Sequence, residues 1–181
     1  MKKKFIISIF LLLPLAYLLI NLKDAIDPIK YIYIITGRTA LILLMITLSA
    51  SILRRVVNFM KYRKLLGLFS FFYAFLHFLN FIILGTQFDL ALVAKETYEK
   101  PFVYLGMISF AVLLFMSITS TKKLFVKYHK WHRLVYIVLI LLTIHASMAQ
   151  KVLSWREYSY MLAAFILLSL RMDLKKRFQS R

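Results

Sequence analysis

The sequence predicts an all-α protein, a polytopic bundle of six transmembrane helices with both termini in the cytoplasm. Hydrophobic residues make up 62% of the 181 residues, charged residues only 18%, and the formal net charge is +18. A globular core in so short a chain could not hide that much apolar surface, so the remainder must face lipid. This composition excludes a disordered chain and argues against a water-soluble enzyme.

Six apolar runs are each close to the length that crosses a bilayer, about 17–25 residues. We expect them to be helices because a bilayer offers no water to unpaired backbone groups, and the alternation of a transmembrane β-barrel is absent. The first run follows three lysines and resembles a secretory signal, but we expect it to remain as a helix, kinked at Pro14. All six belong to one predicted domain, residues 1–181, at 5–21, 32–53, 65–85, 102–119, 132–150 and 156–171.

The charges of the loops predict the orientation. Lysine and arginine collect in residues 2–4, 54–64, 122–133 and 171–181, whereas the opposite loops are nearly neutral. Basic loops lie in the cytoplasm, so both termini are expected there. Anionic lipid explains such a basic face better than nucleic acid, and we expect no nucleic-acid partner.

Ionisable side chains inside a span are costly and therefore mark functional sites. His77 lies roughly 18 Å into the third helix and His145 roughly 20 Å into the fifth, which runs in the same direction. Two histidines at one depth on different helices suit the axial ligands of a haem iron. Hydrogen bonding between helices is the alternative. The spans lack the further Cys, His or carboxylate ligands that zinc would need.

The chain contains no cysteine. Disulfides, thiolate zinc sites, Cys-ligated iron–sulfur clusters and CxxCH haem attachment are therefore excluded. Any haem would be held without a thioether link, through side chains such as imidazole.

His132 lies near the cytoplasmic end of the fifth helix, roughly 19 Å from His145, a spacing that suits a second haem. Thirteen residues, however, turn the two side chains about 140° apart. The third helix also has no histidine at the matching depth, where Lys64 and Leu65 stand. His129 is assigned to the wet interface instead.

Arg38 lies about a turn and a half inside the outer end of the second helix. Either its guanidinium reaches the outer headgroups, or it pairs with an anion inside the bundle such as a haem propionate. Gly37 and Gly67 are predicted to be close-packing positions.

Several motifs recur here in the order and spacing of one known family. They are TGRTAL in the second helix, LLGL followed by His77, and LVY followed by His145. From about Asp27 to Arg171 the sequence resembles MsrQ, the haem-binding membrane subunit of the bacterial MsrPQ methionine sulfoxide reductase system, within the ferric-reductase-like transmembrane group. The resemblance implies haem ligation by His77, His145 and His132.

The same resemblance implies an electron-transfer subunit of the bacterial inner membrane, with one or two b-type haems and FMN as cofactors. Electrons would come from the quinone pool or a cytosolic flavin reductase. They would pass to MsrP, a periplasmic molybdenum enzyme and the partner in a heterodimer, so sulfoxide reduction would occur on the partner and this chain would carry no catalytic residue. No flavin fingerprint marks an FMN site in the sequence.

Two other classes of protein remain as alternatives. A small transporter would use the buried histidines and arginine along a water-filled path, between two repeated halves that this sequence lacks. A structural membrane adaptor would need no buried histidine at all. Substitution of His77 and His145 distinguishes these alternatives from an electron-transfer subunit.

Overall fold

The computed structural model describes residues 2–55 and 58–179, and the side chains of residues 3–54 and 58–171. The basic side chains expected at Lys2, Arg55 and beyond Arg171 lie outside the described residues. Eight α-helices form within these ranges: α1 (Lys2–Asn21), α2 (Pro28–Ile52), α3 (Arg63–Asn80), α4 (Leu90–Glu99), α5 (Pro101–Ile118), α6 (Lys122–Tyr128), α7 (Val135–Met148) and α8 (Trp155–Gln179).

Five helical segments in the described part of the chain are long and apolar enough to cross a membrane. The prediction of an all-α, multi-pass membrane protein is therefore confirmed. These segments add short 3-10 or π-helical turns to α1, α3 and α7 and run over Lys3–Asp24, Pro28–Ile52, Met60–Gly85, Pro101–Ile118 and Trp131–Met148.

The sixth expected span, residues 156–171, does form a helix within α8 but is not among those five segments. Arg156, Glu157 and Arg171 lie near the ends of that stretch and leave 13 residues between them. At 1.5 Å per residue this uncharged part is roughly 20 Å long, shorter than the hydrocarbon core.

Two further differences concern the loops. The expected outer loop, residues 86–100, contains α4, which the Asp89 carboxylate caps by accepting bonds from the amides of Ala91 and Leu92 at 2.8 and 3.1 Å. Pro101 then begins α5 at a position where its missing N–H costs nothing. The fifth expected helix, 132–150, begins as a 3-10 turn over Trp131–Leu134 and its α-helix ends at Met148.

Pro14 interrupts the backbone ladder of α1, and a side chain of α3 bonds the backbone beside it. The Tyr73 hydroxyl, from α3, accepts a hydrogen bond from the Leu15 amide at 3.2 Å and donates one to the Leu11 carbonyl at 2.8 Å. The hydroxyl thus lies between two groups that would otherwise bond each other within the helix. Tyr73 is fully buried, so it supplies these bonds where water cannot.

Helix α2 lies at the centre of the bundle and contacts α1, α3, α7 and α8. One side of it packs against α5, α7 and α8 through a buried cluster that includes Leu44, Leu113 and Leu139. The other side packs on α3, where the Ser70 hydroxyl donates to the Ala40 carbonyl at 2.8 Å. Such hydrogen bonds help helices to associate in lipid, where no hydrophobic effect drives apolar helix surfaces together.

Candidate functional site

The structure brings together two of the four predicted site residues. His77, on the last turn of α3, and His145, on the last turn of α7, have ring centroids 6.1 Å apart, with ring planes 82° to each other. Because α3 and α7 run in the same direction, the two imidazoles meet toward one end of the bundle, as the depth argument expected.

The distance between the two imidazole rings can be compared with the distance that a metal ion bound between them would require. A bond from a metal ion to a histidine nitrogen is about 2 Å long, and that nitrogen lies about 1 Å from its ring centre. One ion between two opposed imidazoles therefore separates the ring centroids by roughly 6 Å. Among the described residues, no group of three His, Cys, Asp or Glu side chains could hold an ion instead. The arrangement fits a bis-imidazole haem iron.

Hydrogen bonds orient both rings. His145 Nδ1 lies 2.6 Å from the Phe102 carbonyl, which can only accept, so Nδ1 carries the proton. His77 Nδ1 lies 3.3 Å from the Thr36 hydroxyl, whose own proton goes to the Ile32 carbonyl at 2.6 Å. In both histidines Nε2 is therefore the nitrogen left free to bind a metal. Histidines that bind metals in proteins usually make such a hydrogen bond through the other ring nitrogen, which fixes the orientation of the ring.

Arg38 has a protein partner. Its guanidinium lies 3.5 Å from the carboxylate of Glu157 at the start of α8; the Glu157 side chain is 5% exposed and that of Arg38 27%. Glu157 also accepts bonds from the Ser154 amide, at 2.9 Å, and from the Ser154 hydroxyl. Contact between Arg38 and a haem propionate stays a prediction, since the observed partner is a carboxylate of the chain itself.

Glu157 was missed among the site residues, although the sequence carries a signal for it. Ser154 and Glu157 form a Ser-x-x-Glu pattern, in which the glutamate reaches back to the amide of the residue that caps the helix. That pattern marks the start of α8. It does not indicate that the second carboxylate oxygen faces Arg38, because that contact depends on how α8 packs against α2.

A cavity of about 1320 Å³ lies at the other end of the bundle, between α2, α3, α5, α7 and α8. Apolar side chains such as Leu48, Phe71 and Leu113 form its inner wall. Among the described residues that line it there is no acid, but there are six bases: Arg54, Arg63, Lys64, Lys122, Arg133 and Arg171. The basic loops therefore converge on one cationic cavity, here called the inner cavity.

His132 and His129 both line the inner cavity, and neither contacts the His77–His145 pair. His132 Nε2 lies 3.0 Å from the hydroxyl of Thr119, the residue that follows α5, and the His132 ring packs edge-on against Phe125, with centroids 4.9 Å apart. His129 is exposed, and its Nδ1 bonds the Val126 carbonyl at 3.0 Å. The structure thus separates His132 from the other two predicted ligands.

Comparison with known proteins identifies the family. Residues 9–146 match the family described as "Ferric reductase like transmembrane component". The chain is also 40% identical over 170 residues to the "Protein-methionine-sulfoxide reductase heme-binding subunit MsrQ" of Pectobacterium atrosepticum, an alignment that covers 88% of this chain and 85% of the relative. This chain belongs to the MsrQ family. The MsrQ of Salmonella paratyphi B is 39% identical over 153 residues, 80% of this chain and 77% of its own length.

The resemblance noted in the sequence is therefore confirmed. The matched residues 9–146 include His77, His132, His145 and Arg38, and they end just before Glu157. The ion pair between Arg38 and Glu157 thus joins the helices of the ferric-reductase-like match to α8, which begins after residue 146.

Proposed function

We propose that this chain is the haem-binding membrane subunit of a bacterial methionine sulfoxide reductase system and carries electrons across the inner membrane. The observation that carries the proposal is the pair His77 and His145, whose rings have the separation that one iron between two imidazoles requires. The relatives from Pectobacterium and Salmonella are each named as a heme-binding subunit of a protein-methionine-sulfoxide reductase.

In this proposal the chain contributes ligation and environment. A bound haem b would supply the one-electron chemistry of iron. His77 and His145 would hold its iron through their free Nε2 atoms, while the Nδ1 bonds to Thr36 and Phe102 keep the two rings in place. Arg38, which lies one residue beyond Gly37 on α2, would balance the negative charge of a propionate while Glu157 keeps its guanidinium near the bundle.

The inner cavity is the proposed entry point for electrons. Its six basic side chains suit an anionic donor or cofactor, whether haem propionates or the phosphate of FMN. His132 lies at its edge and would be the protein ligand of a second haem; Met60 and Met116 line the same cavity, and their thioethers could complete the coordination. The physiological donor would be quinol in the membrane or a cytosolic flavin reductase that meets this basic face.

The proposed topology has six spans and both termini in the cytoplasm, with the whole chain in one domain. Helix α8 begins beside Arg38, and its Arg171 lies over the Tyr136 ring near the start of α7, 5.7 Å from the centroid. It therefore runs along the full height of α7, which supports its role as the sixth span. The inner cavity, lined by basic side chains, then faces the cytoplasm.

The outer face would dock the periplasmic partner, an MsrP-like molybdenum reductase that forms a heterodimer with this chain. Helix α4 lies there and presents two largely exposed side chains, Leu90 and Tyr98. Reduction of methionine sulfoxide would take place on that partner, and electron delivery on this chain.

Absorption spectra of the detergent-purified protein test the proposal. The oxidised and dithionite-reduced wild type should show a low-spin b-type haem. The haem proposed between His77 and His145 is called the outer haem, and His77→Ala and His145→Ala should each abolish its signal. His129→Ala is the matched control, because this histidine is exposed on the inner face, and it should leave that signal intact. A wild type that stays colourless when produced with added haem would overturn the proposal and favour a transporter.

A further inference from the structure

Each of the two paired histidines lies against a glycine of a neighbouring helix. A Cβ atom added to Gly37 of α2 would lie 2.9 Å from His77 Cε1, 3.0 Å from Nδ1 and 3.8 Å from Nε2. A Cβ atom added to Gly106 of α5 would lie 2.9, 3.0 and 3.6 Å from the same three atoms of His145. Real Cβ atoms essentially never come within 3.0 Å of another atom in this way. The two contacts are nearly identical.

The similarity extends one helical turn before each glycine. Tyr33 precedes Gly37 by four residues, and its ring centroid is 5.2 Å from that of His77. Phe102 precedes Gly106 by four residues, and its ring centroid is 6.1 Å from that of His145. In each segment one group also meets Nδ1 of the neighbouring imidazole: the Phe102 carbonyl for His145 and the Thr36 hydroxyl for His77. We call the segments 33–37 and 102–106 the two seats.

We propose that the two seats are positioning elements for the paired imidazoles, and that each glycine is required because only a hydrogen atom fits between the helix and the ring. The proposal rests on the function proposed above. In both seats the Cε1–Nδ1 edge of the ring lies against the glycine and Nε2 is the farthest of the three atoms. Glycine, the aromatic residue and the Nδ1 bond together fix the ring so that Nε2 faces away from the seat.

Flexible neighbours could absorb a methyl group at small cost, but these neighbours are not flexible. Each imidazole is a rigid ring whose Nδ1 already makes a hydrogen bond, so it must turn or shift as a whole if a methyl group is added. A ligand displaced in this way no longer meets the iron at the geometry that a low-spin complex needs. The expected effect is therefore on iron ligation.

The seats differ in the strength of the Nδ1 bond. His145 donates to a backbone carbonyl at 2.6 Å, whereas His77 meets the Thr36 hydroxyl at 3.3 Å. A stronger bond at Nδ1 makes the opposite nitrogen more basic. His145 is thus the more firmly oriented ligand and the better electron donor, and Thr36 is the point at which the weaker bond can be altered by mutation.

Gly37→Ala and Gly106→Ala, with Gly67→Ala as control, test the seats. A Cβ atom at Gly67 would meet only Thr47 Cγ2, at an ordinary 3.6 Å, so this variant adds the same methyl group to a membrane helix without touching either histidine. Electron paramagnetic resonance of the oxidised proteins should show loss or a clear shift of the outer low-spin signal in the first two variants. Both should also release haem to apomyoglobin faster than Gly67→Ala.

Wild-type spectra and haem release in both variants would overturn the inference while leaving the proposed function intact. A wild type without haem would contradict the proposed function instead. If the glycine variants do not accumulate in the membrane, the Thr36 pair decides: Thr36→Val should raise the midpoint potential of the outer haem and Thr36→Ser should preserve it. Equal potentials in those two variants would then count against the seats.

Discussion

The carboxylate of Glu157 lies 3.5 Å from the guanidinium of Arg38 and joins the start of α8 to α2. Glu157 is almost fully buried, and its other contacts are the Ser154 amide and hydroxyl. One buried acid therefore both begins α8 and provides the charge partner of an arginine within a span. In a bundle whose charges are mostly basic, this pair helps determine where α8 packs.

Removal of the acid should weaken that packing. We expect Glu157→Ala to lower the free energy of unfolding by roughly 1–3 kcal/mol, because Arg38 and Ser154 lose a charged acceptor. Thermal unfolding in detergent measures the loss, and Glu99→Ala, at an exposed acid of α4, serves as the control. Arg38→Ala combined with Glu157→Ala should cost less than the sum of the single changes; strict additivity would show that the two residues are not coupled.

The stability of the protein should also depend on the hydroxyl group of Tyr73. Tyr73→Phe removes the hydroxyl that bonds Leu11 and Leu15, and we expect it to cost roughly 1–3 kcal/mol because both backbone groups of α1 are left without that partner. Hydrogen exchange at the Leu15 amide should accelerate. Tyr98→Phe removes a hydroxyl from an almost fully exposed ring and should change neither quantity; equal effects would contradict the interpretation.

The loop between α3 and α4 contains two residues in the left-handed region, Gln87 at φ 50° and Phe88 at φ 63°. They follow the π-helical turn Phe81–Gly85, and the Phe88 amide bonds back to the Ile82 carbonyl at 2.9 Å. Glycine adopts this conformation without a Cβ clash. Gln87→Gly should therefore stabilise the protein by about 0.5–1 kcal/mol, whereas Gln87→Ala should not. A lower melting temperature for Gln87→Gly would show that the side chain itself contributes.

His132 and His129 provide a comparison within the inner cavity. If His132 is a haem ligand there, His132→Ala should lower the haem content per chain, measured as the pyridine haemochrome, while the His77–His145 signal persists. His129→Ala should leave the haem content unchanged, because this residue is exposed at the rim. Unchanged content in both variants would remove His132 from the proposed ligands.

Much of this architecture is predictable from local properties of the sequence. Hydropathy locates the five segments that are long and apolar enough to cross a membrane, because a bilayer selects helices by length and apolar content. The depth of His77 and His145 follows from counting residues along helices that run the same way, and the structure places the rings 6.1 Å apart. The basic segments were likewise expected at one end, where five of their side chains, together with Arg171 of α8, line the inner cavity.

What the sequence does not reveal depends on pairs of helices. Gly106 has no local feature that distinguishes it from a packing glycine, and its relation to His145 arises only when α5 and α7 meet. The same holds for Glu157 with Arg38, which are 119 positions apart in the chain and whose contact depends on α8 packing on α2. The helix-capping pattern at Ser154 likewise indicates where α8 begins, but it does not indicate that α8 packs against α2.

The Tyr73 hydroxyl has a consequence for how α1 can assemble with the rest of the bundle. Apolar surfaces in lipid can slide past one another at little cost, since no solvent penalises the shift. A hydroxyl that must meet one amide and one carbonyl at a single break in a helix permits one height and one rotation only. A slip of one residue would move the hydroxyl away from the Leu15 amide and the Leu11 carbonyl, so this residue of α3 sets the register of the first helix.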